Sequence, residues 1–212
     1  LHSLLKRYLA CEVLVETHYG SYSCRKTYVD YADIVQKTKP DYLFIIERHL
    51  AIQPKENELN ETARESIQQQ AEARIQTFKK FVRSKIFILD AMPRLYTKAI
   101  SLLNSRISRS SAINQVFLRK ESSFFRSHVY GCLQTELIEP TDVKFAQQTL
   151  RRAIRSCEKC SLISYEAVFG LESNFRVFNN ATKVAYFTGG LHLSPYGLNS
   201  VAPIYKKICS LF

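Results

Sequence analysis

Two short apolar runs stand out along the chain, each unbroken and bounded by polar residues: Tyr42-Leu43-Phe44-Ile45-Ile46, and Ile86-Phe87-Ile88-Leu89 within Lys85–Asp90. Runs of this length without alternation are expected of strands buried on both faces. A third strand, weaker in pattern, is expected over Cys160–Tyr165. Between the first two the period changes. Over Asn57–Arg83 the residues Ala63, Ile67, Ala71, Ile75, Phe78 and Val82 recur three or four apart, with Glu, Gln, Lys and Arg between them. That spacing predicts a long helix with one face in water.

Shorter helices are predicted over Lys26–Gln36, closed by the Lys39-Pro40-Asp41 turn, and over Tyr96–Ile107. A mixed stretch, helical in part, runs on to His128. Glu139-Pro140-Thr141 opens a further helix through Arg155, with Thr141 as its N-cap. A loop-rich insert, Phe169–Ala181, then precedes the segment Lys183–Phe187. The last helix is the most clearly marked. Ser194-Pro195 places a capping residue before a proline at the first helical position, and Leu198, Val201, Tyr205, Ile208 and Phe212 follow at helical spacing. Strands alternating with helices predict an α/β fold, a parallel sheet covered on both faces. The 212 residues are enough for one well-cored domain, 1–212.

In such sheets functional groups gather beyond the carboxyl ends of the strands. Glu47-Arg48-His49, Asp90-Ala91-Met92-Pro93-Arg94 and the loop carrying His192 all follow apolar runs, so they are placed to converge on one edge. Two readings stand for His192: a hydrogen-bonded structural histidine, or a catalytic base at the mouth of a helix.

The formal charge of +11 changes the picture little, because the basic residues are scattered over predicted polar helix faces and no nucleic-acid motif surrounds them. No nucleic-acid partner is expected; a solvated basic surface is. No apolar run approaches the roughly 18 to 20 residues that span a bilayer, and Leu1–Leu14 mixes charge into a short amphipathic pattern unlike a secretory signal. With leucine at position 1, the chain reads as a fragment. Its six cysteines include one Cys157-Glu-Lys-Cys160 pair, which lacks the second pair of a zinc site and the strand-to-helix setting of a redox motif. No metal or cofactor is expected. Two glycosylation triplets, Asn60-Glu61-Thr62 and Asn180-Ala181-Thr182, tilt the expectation towards a lumenal or extracellular compartment.

Taken in order, three blocks carry a resemblance. Lys39–His49 resembles the third block of SGNH-type esterase domains, Ile86–Arg94 the strand and turn after it, and His192-Leu193-Ser194-Pro195-Tyr196-Gly197 the last block. The likeness is to the SGNH domain fused behind the multi-span acyltransferase-three membrane domain, nematode members in particular, and covers the chain from about Cys11 onward. The resemblance implies a three-layer, flavodoxin-like sandwich that performs acyl-ester transfer or hydrolysis, with an acylated small molecule or glycan as substrate and a membrane context supplied by the multi-span domain. It makes His192 the catalytic base and sets Arg48 near the family's asparagine oxyanion donor, where it is read as a donor to an oxyanion or carboxylate or else as a surface ion pair with Glu47 or Asp41. Two departures stand beside it. The family's orienting aspartate, three residues before the histidine, is Gly189 here, and the Gly-Asn/Asp-Ser nucleophile turn has no counterpart. The expectation is therefore a sheet lacking its first strand, aggregation-prone at the bared edge, with a chain inactive by itself or a descendant kept for binding.

Overall fold

The computed structural model describes residues 30–55, 58–105, 134, 136–171, 174–188 and 192–211. Three parallel strands form the central sheet in the order β1 (Tyr42–Ile45), β2 (Lys85–Leu89), β3 (Cys160–Ile163). Their register sets Phe44 opposite Phe87 and Phe87 opposite Ser161. Because successive side chains on a strand point to opposite faces, β2 serves two cores at once. Ile86 and Ile88 face a cluster with Val35, Ile75, Phe78, Ala146 and Leu150. Phe87 and Leu89 face another with Tyr165, Phe169, Phe187, Val201 and Tyr205. The first cluster is roofed by helices α1 (Tyr31–Thr38), α2 (Glu61–Phe81) and α3 (Val143–Ile154), the second by the short helix α4 (Glu166–Phe169) and the last helix, α5 (Pro195–Cys209). Helices, sheet and helices make the three layers, as the apolar runs and the resemblance imply.

Boundaries moved where capping chemistry decides them. α1 begins at Tyr31, after Asp30, whose Oδ1 accepts from the Asp33 amide at 3.0 Å, and it runs to Thr38; residues 26–29 lie outside those described. α2 begins after Asn60, which accepts from Ala63 N, and ends at Phe81 because Val82 is already extended and leads into β2. The cap of α3 is Asp142, not Thr141: Asp142 Oδ1 accepts from Phe145 N at 2.9 Å. Thr141 is turned inwards instead, bridging Lys55 through the backbone and accepting from Gln53 at 2.8 Å. Of the helix expected over 96–107, residues 99–105 are helical, and 106–133 lie outside the described residues. β3 stops at Ile163, two residues before Tyr165.

Beyond α4 the chain forms a small antiparallel hairpin, β4 (Phe187–Thr188) with β5 (His192–Leu193). α5 then starts as its sequence dictates: Ser194 Oγ accepts from Gly197 N at 3.0 Å and donates to Ala185 O at 2.7 Å, with Pro195 in the first turn. Inside, α5 packs Tyr205 against Tyr165, and the two hydroxyls share one hydrogen bond; burial pushes the Tyr165 hydroxyl up to about 12. Cys157 and Cys160 form a disulfide across the turn from α3 into β3, while Cys11, Cys24 and Cys132 lie outside the described residues.

Candidate active site

At the carboxyl edge of the sheet the chain leaving β1 meets the chain leaving β2. The second of these, Asp90-Ala91-Met92-Pro93, is irregular and buried, so its carbonyls must find partners outside any ladder. Side chains supply them. His49 Nε2 donates to Leu89 O, Gln147 to Ala91 O at 3.0 Å, Gln53 to Met92 O at 3.3 Å, and Arg48 Nη2 to Pro93 O at 3.1 Å. Three of these four donors come from the segment after β1 and one from α3.

His49 reaches its carbonyl from a left-handed backbone, φ 51°, a strained position for a residue with a Cβ. Its other ring nitrogen, Nδ1, lies 3.2 Å from Glu47 Oε1. Arg74 grips the same carboxylate through two nitrogens, at 2.7 and 3.1 Å, and stacks over the Phe78 ring. Burial alone would raise the Glu47 carboxyl, but the bonds from His49 and Arg74 outweigh it and hold it down at about 2. Asp90 shows the opposite balance. Its burial raises the carboxyl despite the Ala91 amide at 2.9 Å and Arg151 at 3.5 Å.

Arg48 is neither of the surface pairs considered for it. Glu47 is taken by Arg74 and His49, and Asp41 by Arg83. Beyond its bond to Pro93 O, the guanidinium keeps a buried Nε with no partner. Burial, and then the charge of Arg94, lower it to about 10, so it stays cationic at neutral pH. Beside this edge lies a shallow surface depression lined by Asp90, Met92, Tyr165, Gly170 and Phe175 among others.

His192 stands on the hairpin, exposed, opposite Thr188. The hairpin is fixed from below: Ser194 N donates to Tyr186 O, the Tyr186 and Tyr196 rings stack at 5.2 Å, and Asn179 donates to the Tyr196 hydroxyl. Thus Arg48 and the Asp90 loop are brought into direct contact. Residues 189–191, Gly189 among them, lie outside the described residues. The order of blocks along the chain decides the family, and the family model described as SGNH domain (fused to AT3 domains) matches residues 7–207. The chain belongs to that SGNH family. No curated protein and no solved structure matches it significantly.

Within this SGNH domain, sequence reasoning placed His49 at this edge within the Glu47-Arg48-His49 run without giving it a partner, and missed Gln53 and Gln147. The available signal was their type and place: long polar side chains beside a stretch of backbone with no ladder of its own. No helix among the described residues is long and apolar enough to cross a membrane. The clamp on the β1 exit has a measurable signature. A carboxyl held below its ordinary value stabilises the fold above that value and loses the contribution as it protonates. Glu47 should therefore contribute a stability loss between pH about 4.5 and about 2. Urea midpoints measured across that range should fall less steeply in Glu47→Gln than in the wild type; parallel curves would remove Glu47 from the account.

Proposed function

We propose that this SGNH domain acts in O-acyl transfer or acyl-ester hydrolysis on a glycan- or lipid-type acceptor, on the lumenal or extracellular side of a membrane. His192 is the base and Arg48 the donor to the acyl oxygen. The observation that carries this reading is the state of Arg48: a cationic, half-buried guanidinium at the carboxyl edge, with one backbone bond and an unpartnered Nε. Donors set in advance towards a developing oxyanion stabilise the transition state more than the ground state. The family's fusion to AT3 domains supports the acyl chemistry and the membrane context.

The reading requires a serine nucleophile, for which residues 1–212 offer no Gly-Asn/Asp-Ser turn. The test joins a family nucleophile block ahead of Leu1 and assays short acyl esters. Arg48→Ala should lower kcat by about 10²- to 10³-fold, the usual effect of removing one oxyanion donor. Unchanged kcat with a raised KM would reassign Arg48 to substrate binding.

Gly189, standing where the family's orienting carboxylate belongs, favours a second reading: a non-catalytic domain that binds an acylated or glycan partner. It predicts background turnover in the completed chain and ligand binding indifferent to His192→Ala. Serine-dependent turnover lost in that variant would exclude it.

A further inference from the structure

The two Asn-X-Thr triplets take no part in the chemistry above, yet the fold treats their asparagines alike. Asn60 is exposed and uses only its carbonyl, Oδ1 accepting from Ala63 N at 2.9 Å to cap α2. Asn180 is exposed and also uses its carbonyl, Oδ1 accepting from Gln134 Nε2 at 2.7 Å. Gln134 is itself buried, and its own oxygen takes the Val177 amide, so the Asn180 bond helps tie the insert to the core. In both cases Nδ2 makes no hydrogen bond among the described residues.

That division of labour suits one modification. In N-glycosylation the amide Nδ2 attacks the anomeric carbon of a lipid-pyrophosphate-linked oligosaccharide. The N–C1 bond forms, the C1–O bond to pyrophosphate breaks, and one amide proton leaves as the lipid pyrophosphate departs. The carbonyl oxygen survives as an acceptor, so the α2 cap and the Gln134 bond persist in the glycosylated protein.

We propose that Asn60 and Asn180 both carry N-linked glycans and that these flank the candidate site. Asn60 opens the helix following β1, which places it at the carboxyl edge, and one turn in, Arg64 pairs with the α3 cap Asp142 at 2.9 Å. Asn180 hangs from Gln134, three residues before Leu137 and Ile138, which pair with the chain leaving β2 at Tyr96 and Leu95. Sugars at both positions would flank the carboxyl edge that carries the candidate site. The inference rests on the lumenal side of the reading above, since the transferase and its lipid-linked donor work there.

The test expresses the full-length protein that contains this domain in animal cells, removes glycans with an N-glycosidase in ¹⁸O water, and reads asparagine-to-aspartate conversion by peptide mass spectrometry. Labelled conversion at both positions is expected. Thr62→Ala and Thr182→Val should each abolish it at one site with the folded circular dichroism spectrum retained, because the α2 cap and the Gln134 bond belong to the asparagines and Thr182 gives up only a long, exposed bond from Val184 N at 3.4 Å. An unlabelled residue at either position overturns the assignment there. A second arm places a secretion signal ahead of the chain. Absence of modification in both arms refutes the sites themselves. Modification in the second arm alone refutes the glycans on the native protein and the lumenal reading with them.

Discussion

Gly197→Ala is expected to destabilise the fold by about 3 kcal/mol, the upper end of what one extra methyl costs a packed interior, and so to lower Tm by roughly 10 °C. Gly197 lies buried in the first turn of α5, and a Cβ there would sit 2.0 Å from Tyr186 O and 3.3 Å from the Leu193 side chain. The nearer obstacle is backbone, which cannot rotate away. Neither side has room to retreat. Tyr186 O is held by Ser194 N at 2.9 Å, and the Tyr186 ring is stacked on Tyr196. On the other side α5 is anchored by Val201 and Tyr205, both fully buried. Asn199→Ala, an exposed change two residues along the same helix, serves as the control and should leave Tm nearly unchanged. Thermal unfolding followed by circular dichroism separates the two. A Gly197→Ala chain melting within 2 °C of the control, on the order of 0.5 to 1 kcal/mol, would mean that the α5 start slides freely over the hairpin.

The same contact explains why His192 is where it is, and how much of that was legible. Ser194-Pro195 announced the start of α5 because capping is local chemistry, settled within four residues. The continuous run Ile86–Leu89 announced a strand with two buried faces for the same reason. Thr141 and Asp142 show the limit of local reasoning. Both are capping types, adjacent in sequence, and only the contact of Thr141 with Gln53, 88 residues away, decides that Thr141 turns inwards and Asp142 caps. The four donors that hold the Asp90 loop were hidden likewise. Their partners lie 39 to 56 residues away, brought together by sheet order rather than by any spacing. The hairpin strands, two residues each, are shorter than any periodicity can register. Arg48 was legible as a candidate from its block. That its charge is not spent on Glu47 or Asp41 followed only once Arg74, His49 and Arg83 were seen to occupy those carboxylates.

Gly189→Asp is expected to raise kcat of the nucleophile-completed chain by up to about four orders of magnitude, the factor a serine hydrolase loses when its orienting carboxylate is removed. The residue pair then makes a cycle with a definite shape. In a serine protease, losing the base costs about 10⁶ in kcat, while losing the carboxylate alone costs about 10⁴, because the groups act as a unit. A base with glycine at the family's carboxylate position should therefore have only about 10² left to lose. His192→Ala in the natural sequence is expected to cost that hundredfold, and the same change in the Gly189→Asp background about 10⁶. Single-turnover acyl-ester hydrolysis of the four chains measures all the terms. Two outcomes would break the assignment of roles. A 10⁶-fold loss in the natural background would show that another carboxylate already orients His192. Two variants of His192 indistinguishable from their parents would show that the imidazole does not touch the reaction. Either result discriminates more sharply than the activity of the natural chain, whose glycine predicts slow turnover even when every other group is in place.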